Sequence, residues 1–192
     1  LSCNDNQLTN LDVSNNTALS ILSCNDNQLT NLDVSNNLAL YGLLCYNNQL
    51  TSLDVSNNLA LGGLFCNNNQ LTSLDVSNNS ELFNLRVNQN QLNSLDLSNT
   101  NMLLQLQCQN NQLTTLDLSN QEVLSDLQCY SNQLTSLDLR NNPLTGFVDD
   151  PFVPNFIVSN NPDLSCIYVD DVSYATAFLT SKDYTTSYVT NE

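Results

Sequence analysis

Histidine and tryptophan are absent from this chain, and Arg86, Arg140 and Lys182 are its three basic side chains. Without histidine, no Ser–His or Cys–His nucleophile pair can form. Four glycines are too few and too scattered for a phosphate-cradling loop. The three basic residues face 19 acidic ones, a formal charge of -16. Nucleic acid and anionic membrane surfaces are recognised through Lys/Arg clusters, so neither is expected as a partner. No run approaches the roughly 18 apolar residues of a membrane span, so membrane insertion is not expected. A basic-then-apolar signal peptide is missing too, so any export signal is expected to have been removed or to lie outside this stretch. The 192 residues are enough for one domain with a real core.

What the chain does have is a period of 21 residues, from Leu1 to Leu22, Leu43, Leu64, Leu85, Leu106 and Leu127. Aligned, the copies read L-x-x-L-x-C-x-x-N-x-L-x-x-L-D-V-x-x-N-x-x. Leucine, leucine and asparagine at set offsets in this period range mark a leucine-rich solenoid, in which each coil touches only its neighbours. The apolar-x-apolar triplets Leu-x-Cys and Leu-Asp-Val alternate as strands do, and nothing between them is long enough for a helix. The expected fold is a right-handed β-solenoid with short parallel sheets on two faces, rising about 4.8 Å per coil. Seven repeats cover residues 1–142, and irregular half-coils with a C-terminal cap cover 143–192. In that cap, Phe156-Ile-Val158 replays Leu-Asp-Val, Leu164, Ile167 and Val169 replay Leu-x-x-Leu-x-Cys, and Val172–Phe178 forms a short helix with Asp171 as its N-cap.

Two polar columns have structural readings. Asn6, Asn27, Asn48, Asn69, Asn90, Asn111 and Asn132 recur without exception, as amides that satisfy backbone groups where each coil turns. Cys3, Cys24, Cys45, Cys66, Cys108 and Cys129 share a slot that Val87 fills in the fifth copy, so the slot is apolar and inward. Stacked side chains about 4.8 Å apart overshoot the Cβ separation of a disulfide, and a straight ladder cannot converge on zinc. Free thiols packed as small hydrophobes fit the column best.

Outward positions are where chemistry could lie. Asp12, Asp33, Asp54, Asp75, Asp96, Asp117 and Asp138 stack one above another, and neighbours repel by roughly 1 kcal/mol even in water. Flanking hydroxyls such as Ser52 and Ser56, or screening cations, would relieve this row. Each coil offers one carboxylate where a calcium site needs about six to eight oxygens, so no cofactor is expected beyond weak Ca²⁺ along Asp33, Asp54, Asp75, Asp96 and Asp117. Identical carboxylates also lack the split environments of an acid–base pair, which argues against an enzyme. The outward residues of the Leu-x-Cys strands, in contrast, change from coil to coil. Leu44, Tyr46, Phe65 and Arg86 form the candidate ligand-binding patch, over a shallow floor left by Gly42 and Gly63, with Tyr130 further along.

These residues resemble the IRREKO class of leucine-rich repeats, known from secreted and surface proteins of Bacteroidetes, marine flavobacteria among them. The LD[VL]S half-repeat carries the resemblance over roughly residues 1–142, and Asn160–Asp171 is similar to the C-terminal cap of such proteins. Caps of that kind end in a cysteine able to pair with the one in the NNP-x-L-x-C motif. Tyr188-Val-Thr-Asn-Glu192 supplies none for Cys166. The resemblance implies a secreted or cell-surface recognition module with a protein or glycan partner. A structural spacer, or an adhesin segment using the Asp ladder with cations, is the alternative. Because the chain opens inside a repeat, as a fragment of a longer protein would, Leu1, Leu8, Leu11 and Val13 are expected to leave one side of the core uncovered. That end invites end-to-end self-association.

Overall fold

The computed structural model describes residues 1–147 and 155–190. Pro151 and Pro154, part of the expected cap, lie outside the described residues. The chain is a parallel β-solenoid. One face is a seven-stranded sheet of β1 (Ile21–Ser23), β2 (Gly42–Leu44), β3 (Gly63–Phe65), β4 (Asn84–Arg86), β5 (Gln105–Gln107), β7 (Asp126–Gln128) and β9 (Phe156–Ile157). Register follows the repeat, with Leu22 opposite Leu43 and Leu43 opposite Leu64. The stacked leucines are fully buried and share one core with Cys24, Cys45, Cys66, Val87, Cys108 and Cys129.

Each coil turns away from this sheet at a left-handed residue that is not glycine: Asp26, Asn47, Asn68, Gln89, Asn110 and Ser131, with φ between 52° and 57°. Asp and Asn tolerate that region best among residues with a Cβ, and they dominate the column. The next residue is the ladder asparagine, which holds the turn as expected. The Asn48 amide donates to the carbonyls of Cys24 and Cys45, both at 3.1 Å, and its oxygen accepts from Leu29 N at 2.9 Å. Asn161 continues this ladder beyond the regular repeats, donating to Cys129 O and Val158 O.

The second face differs from the expectation of one strand per coil. Its sheet contains only β6 (Thr115–Asp117), β8 (Ser136–Asp138), β10 (Cys166–Tyr168) and β11 (Ser187–Val189). In the earlier coils the Leu-Asp-Val segments are joined by side chains instead. Asn58 donates to Val34 O and Asn37 O, Asn79 to Val55 O and Asn58 O, and Asn78 to Ser56 O. The repeat changes from Leu-Asp-Val to Leu-Asp-Leu at Leu97, one coil before strand pairing begins at β6.

The cap corrects the predicted register. Phe156 lies opposite Leu127, so Phe156-Ile-Val158 replays Leu-x-Cys and not Leu-Asp-Val. Ile167 lies opposite Leu137, so the Cys166–Tyr168 strand replays Leu-Asp-Leu. The steps explain the exchange: Leu127 to Phe156 is 29 residues, eight more than a regular coil. Helix α1 (Val172–Phe178) stands where expected, with the Asp171 carboxylate accepting from Tyr174 N. At the other end Leu1 is exposed and Leu8 and Leu11 are half-buried, as expected, whereas their counterparts Leu22, Leu29 and Leu32 are buried. Val13 differs from the expectation: it is buried, and Asn37 of the second coil donates to its carbonyl.

Candidate functional site

The strand face places Leu44, Phe65 and Arg86 at consecutive register positions on β2, β3 and β4, with Tyr46 in the adjacent column. Two expectations about them need correction. None of the four stands out freely; all are half-buried. The glycine floor is also filled. A Cβ on Gly63 would lie 3.1 Å from Phe65 Cε2, so the ring folds back over that glycine, and Gly42 is covered by Ile21. The Phe65 side chain thus lies down on the sheet.

Arg86 then packs on Phe65, its guanidinium carbon 5.2 Å from the ring centroid. Its Nε is buried without a hydrogen-bond partner among the described residues. Beyond Arg86 the face turns polar. Asn84 donates to Gln105 Oε1, and Gln128 donates to Asp126. Burial raises the Asp126 carboxyl above its usual range, and the hydrogen bond from Gln128 and the charge of Arg86 oppose the rise. Tyr130 is half-buried four coils beyond Tyr46, roughly 19 Å along the stack, so the structure does not bring it into the Tyr46–Phe65 patch.

The aspartate column is exposed from Asp12 to Asp117, as expected, with Asp138 half-buried, and of the two expected hydroxyls Ser56 holds Asp54. Asp54 accepts from Ser56 N at 2.9 Å, and the same bond from the residue two places on recurs from Asp12 to Asp138. The Ser56 hydroxyl and backbone N–H hold the Asp54 carboxyl below its usual range, and the charges of Asp33 and Asp75 are weaker opposing effects. Ser52 is not among its partners. The local turn therefore outweighs the repulsion between coils. The column ends in an ion pair, with Arg140 forking onto Asp138. Among the described residues, no group of three or more His, Cys, Asp or Glu side chains converges as a metal site would.

Each buried ladder cysteine is a free thiol. Desolvation pushes Cys24, Cys66 and Cys108 up to about 12, and Cys45 and Cys129 rise for the same reason. Sequence reading missed one further feature of the outer surface. Tyr41 and Phe83 meet above Gly62, their centroids 6.1 Å apart. The signal was available in the column Ser20, Tyr41, Gly62, Phe83, Leu104, Ser125, where a glycine separates two aromatics.

The fold is that of leucine-rich repeat proteins, and solved structures of that class align with it. The functional domain of InlJ from Listeria monocytogenes, described as including a cysteine ladder, is 34% identical over 90% of this chain and 44% of that one, with a TM-score of 0.57. The internalin InlF from Listeria monocytogenes is 24% identical over 94% of this chain and 50% of that one, TM-score 0.64. The leucine-rich repeat ectodomain of the Arabidopsis thaliana receptor kinase GASSHO1/SCHENGEN3, solved with CASPARIAN STRIP INTEGRITY FACTOR 2, is 18% identical over 93% of this chain and 22% of that one, TM-score 0.61. The chain thus spans about half the length of the two Listeria proteins. No protein-family model matches it, and no curated protein matches its sequence. Among the described residues no helix is long and apolar enough to cross a membrane.

Proposed function

We propose that this chain is a non-catalytic recognition module of an exported or cell-surface protein, and that it binds a protein partner through the strand face around Leu44, Tyr46, Phe65 and Arg86. One observation carries this reading: Arg86 sits where the face changes from apolar to polar, with a buried Nε that lacks an acceptor among the described residues. A partner carbonyl or carboxylate would complete it, and Arg beside aromatics is the usual composition of an interface hot spot.

A protein suits this face better than a glycan, because Arg86 already covers the Phe65 ring that a sugar would stack on. A bound partner also has a precedent in the fold, since the plant ectodomain was solved in complex with CASPARIAN STRIP INTEGRITY FACTOR 2. Tyr130 would serve only a long partner reaching the far coils. The secreted setting and the 21-residue IRREKO class belong to the same proposal, as does weak Ca²⁺ screening of the Asp column. The spacer reading rests on the first two coils, whose residues in the two columns of Leu44 and Tyr46 are Ser2, Asn4, Ser23 and Asn25.

The test is the double change Tyr46→Ala with Phe65→Ala, assayed against partners captured by the native protein and against a glycan array. Binding should fall by about 2 kcal/mol or more while the fold survives. Undiminished binding of every ligand by the folded variant would remove the strand face as the site and favour the spacer.

A further inference from the structure

The turns that lead into the strand face carry a second, more exposed apolar surface. Tyr41 and Phe83 meet only because Gly62 lies between them: a Cβ there would be 2.8 Å from both rings. Tyr41 remains 52% exposed, Met102 in the same groove 58%, and Leu59, in the turn that carries Gly62, 60%. Tyr41, Ala60, Glu81, Phe83 and Met102 line a groove of about 520 Å³. Leu38 and Leu104 continue it on either side, so the rail follows the stack for roughly 15 Å. An exposed apolar strip of this kind marks an interaction surface more often than a bare one.

Charge selects the occupant. The turns at 38–41, 59–62, 80–83, 101–104 and 122–125 contain no Lys or Arg, and their charged residues are Glu81 and Glu122. A second copy would bring a charge of -16 against an equal one, and an anionic lipid surface would be repelled as well. We propose that this rail docks an amphipathic, lysine-bearing segment of a protein partner. Its apolar side chains cover the Tyr41–Phe83 platform and Met102, and its ammonium groups meet Glu81 and Glu122. A helix suits the rail, since a rise of about 5.4 Å per turn nearly matches the coil spacing over three turns. Strand-face residues take no part, so this site stands or falls separately from the one proposed above.

A direct test uses a fluorescent peptide of about four helical turns, with leucine at i, i+3, i+4 and i+7 and lysine elsewhere, beside a counterpart carrying glutamate for lysine. Fluorescence anisotropy at about 0.15 M salt should show binding of the lysine peptide and none of the glutamate one. Tyr41→Ser with Phe83→Ser should weaken binding by about tenfold or more. Glu81→Lys with Met102→Lys, two exposed positions that the fold does not need, should weaken it similarly. Tyr46→Ala with Phe65→Ala should leave it unchanged. Equal binding by the rail variants would reduce the attraction to net charge and overturn the proposal. So would competition by a neutral oligosaccharide, or a wild-type dimer that the rail variants abolish.

Discussion

The strand face and the aspartate face enclose the same leucines, yet they are joined in different ways. On the strand face, backbone bonds link every coil from β1 to β5, to β7 and then β9. Those bonds ignore side-chain identity, so the outward residues are free to run from Ser23 through Leu44 and Phe65 to Arg86 and Gln107. On the aspartate face, the first coils are joined by Asn37, Asn58 and Asn79 reaching the coil before, and by Asn57, Asn78 and Asn99 reaching serine carbonyls. The side chain itself is the link there, and the asparagine repeats as far as Asn79, before Thr100 and Gln121 take its place. A surface free to diversify is one whose cohesion lies in the backbone.

The largest contrast should be chemical. The thiols behind the strand face lie in the core, whereas Cys3 and Cys166 are half-buried. A thiol reagent at pH 8 should modify Cys3 and Cys166 at least about a hundredfold faster than Cys24, Cys66 or Cys108, because thiolate is the reactive form. All seven should become modifiable in denaturant without reductant. Disulfides among the column cysteines would break the ladder.

Stability should separate the two asparagine ladders next. Asn48→Leu removes three donated bonds and one accepted bond and strands buried backbone groups, so a loss of about 4 kcal/mol is expected. Asn58→Leu removes two donated bonds, and its Oδ1 has no partner to lose, so about 2 kcal/mol should follow. Urea unfolding of both variants measures the difference, and equal losses would erase it.

Acid should act on the aspartate face. Asp12, Asp33, Asp54, Asp75, Asp96 and Asp138 have folded-state pKa values below the ordinary carboxylate value. Depressed carboxyls contribute stability that is present above the unfolded pKa and lost as pH falls through the folded one. The melting temperature should therefore decline from about pH 4 downward. In Asp54→Asn the decline should be shallower, since the amide oxygen keeps the Ser56 bond without titrating.

The smallest effect should come from salt. Sodium chloride should raise Tm by a few degrees at most, since local bonds already hold the carboxylates and screening removes only the residual repulsion. Calcium at matched ionic strength should add little. A saturable, calcium-specific rise would turn the column into a cation site.

Much of this molecule was legible from its period. The 21-residue spacing places Leu22, Leu43 and Leu64 in one inward column, and the unbroken asparagine column marks turns that need an amide. Asp171 before an apolar stretch marks the helix. The candidate patch was legible only in part: the residues were the right neighbours, but their exposure was not written in the repeat. Phe65 lies down over Gly63, two residues back on its own strand, and Arg86, 21 residues on in the next strand, packs on its ring. Tyr41 and Phe83 are 42 residues apart and touch only because the glycine between them leaves room.

The sequence by itself determined the coil, its core, its turns and the face on which variation is allowed, because each of these depends on residues at fixed offsets within one repeat. Tertiary structure alone decided which face forms continuous strands, how the cap docks after eight extra residues, and where apolar surface stays open. Those outcomes depend on contacts between coils and on the length of an irregular segment, and no local pattern encodes either.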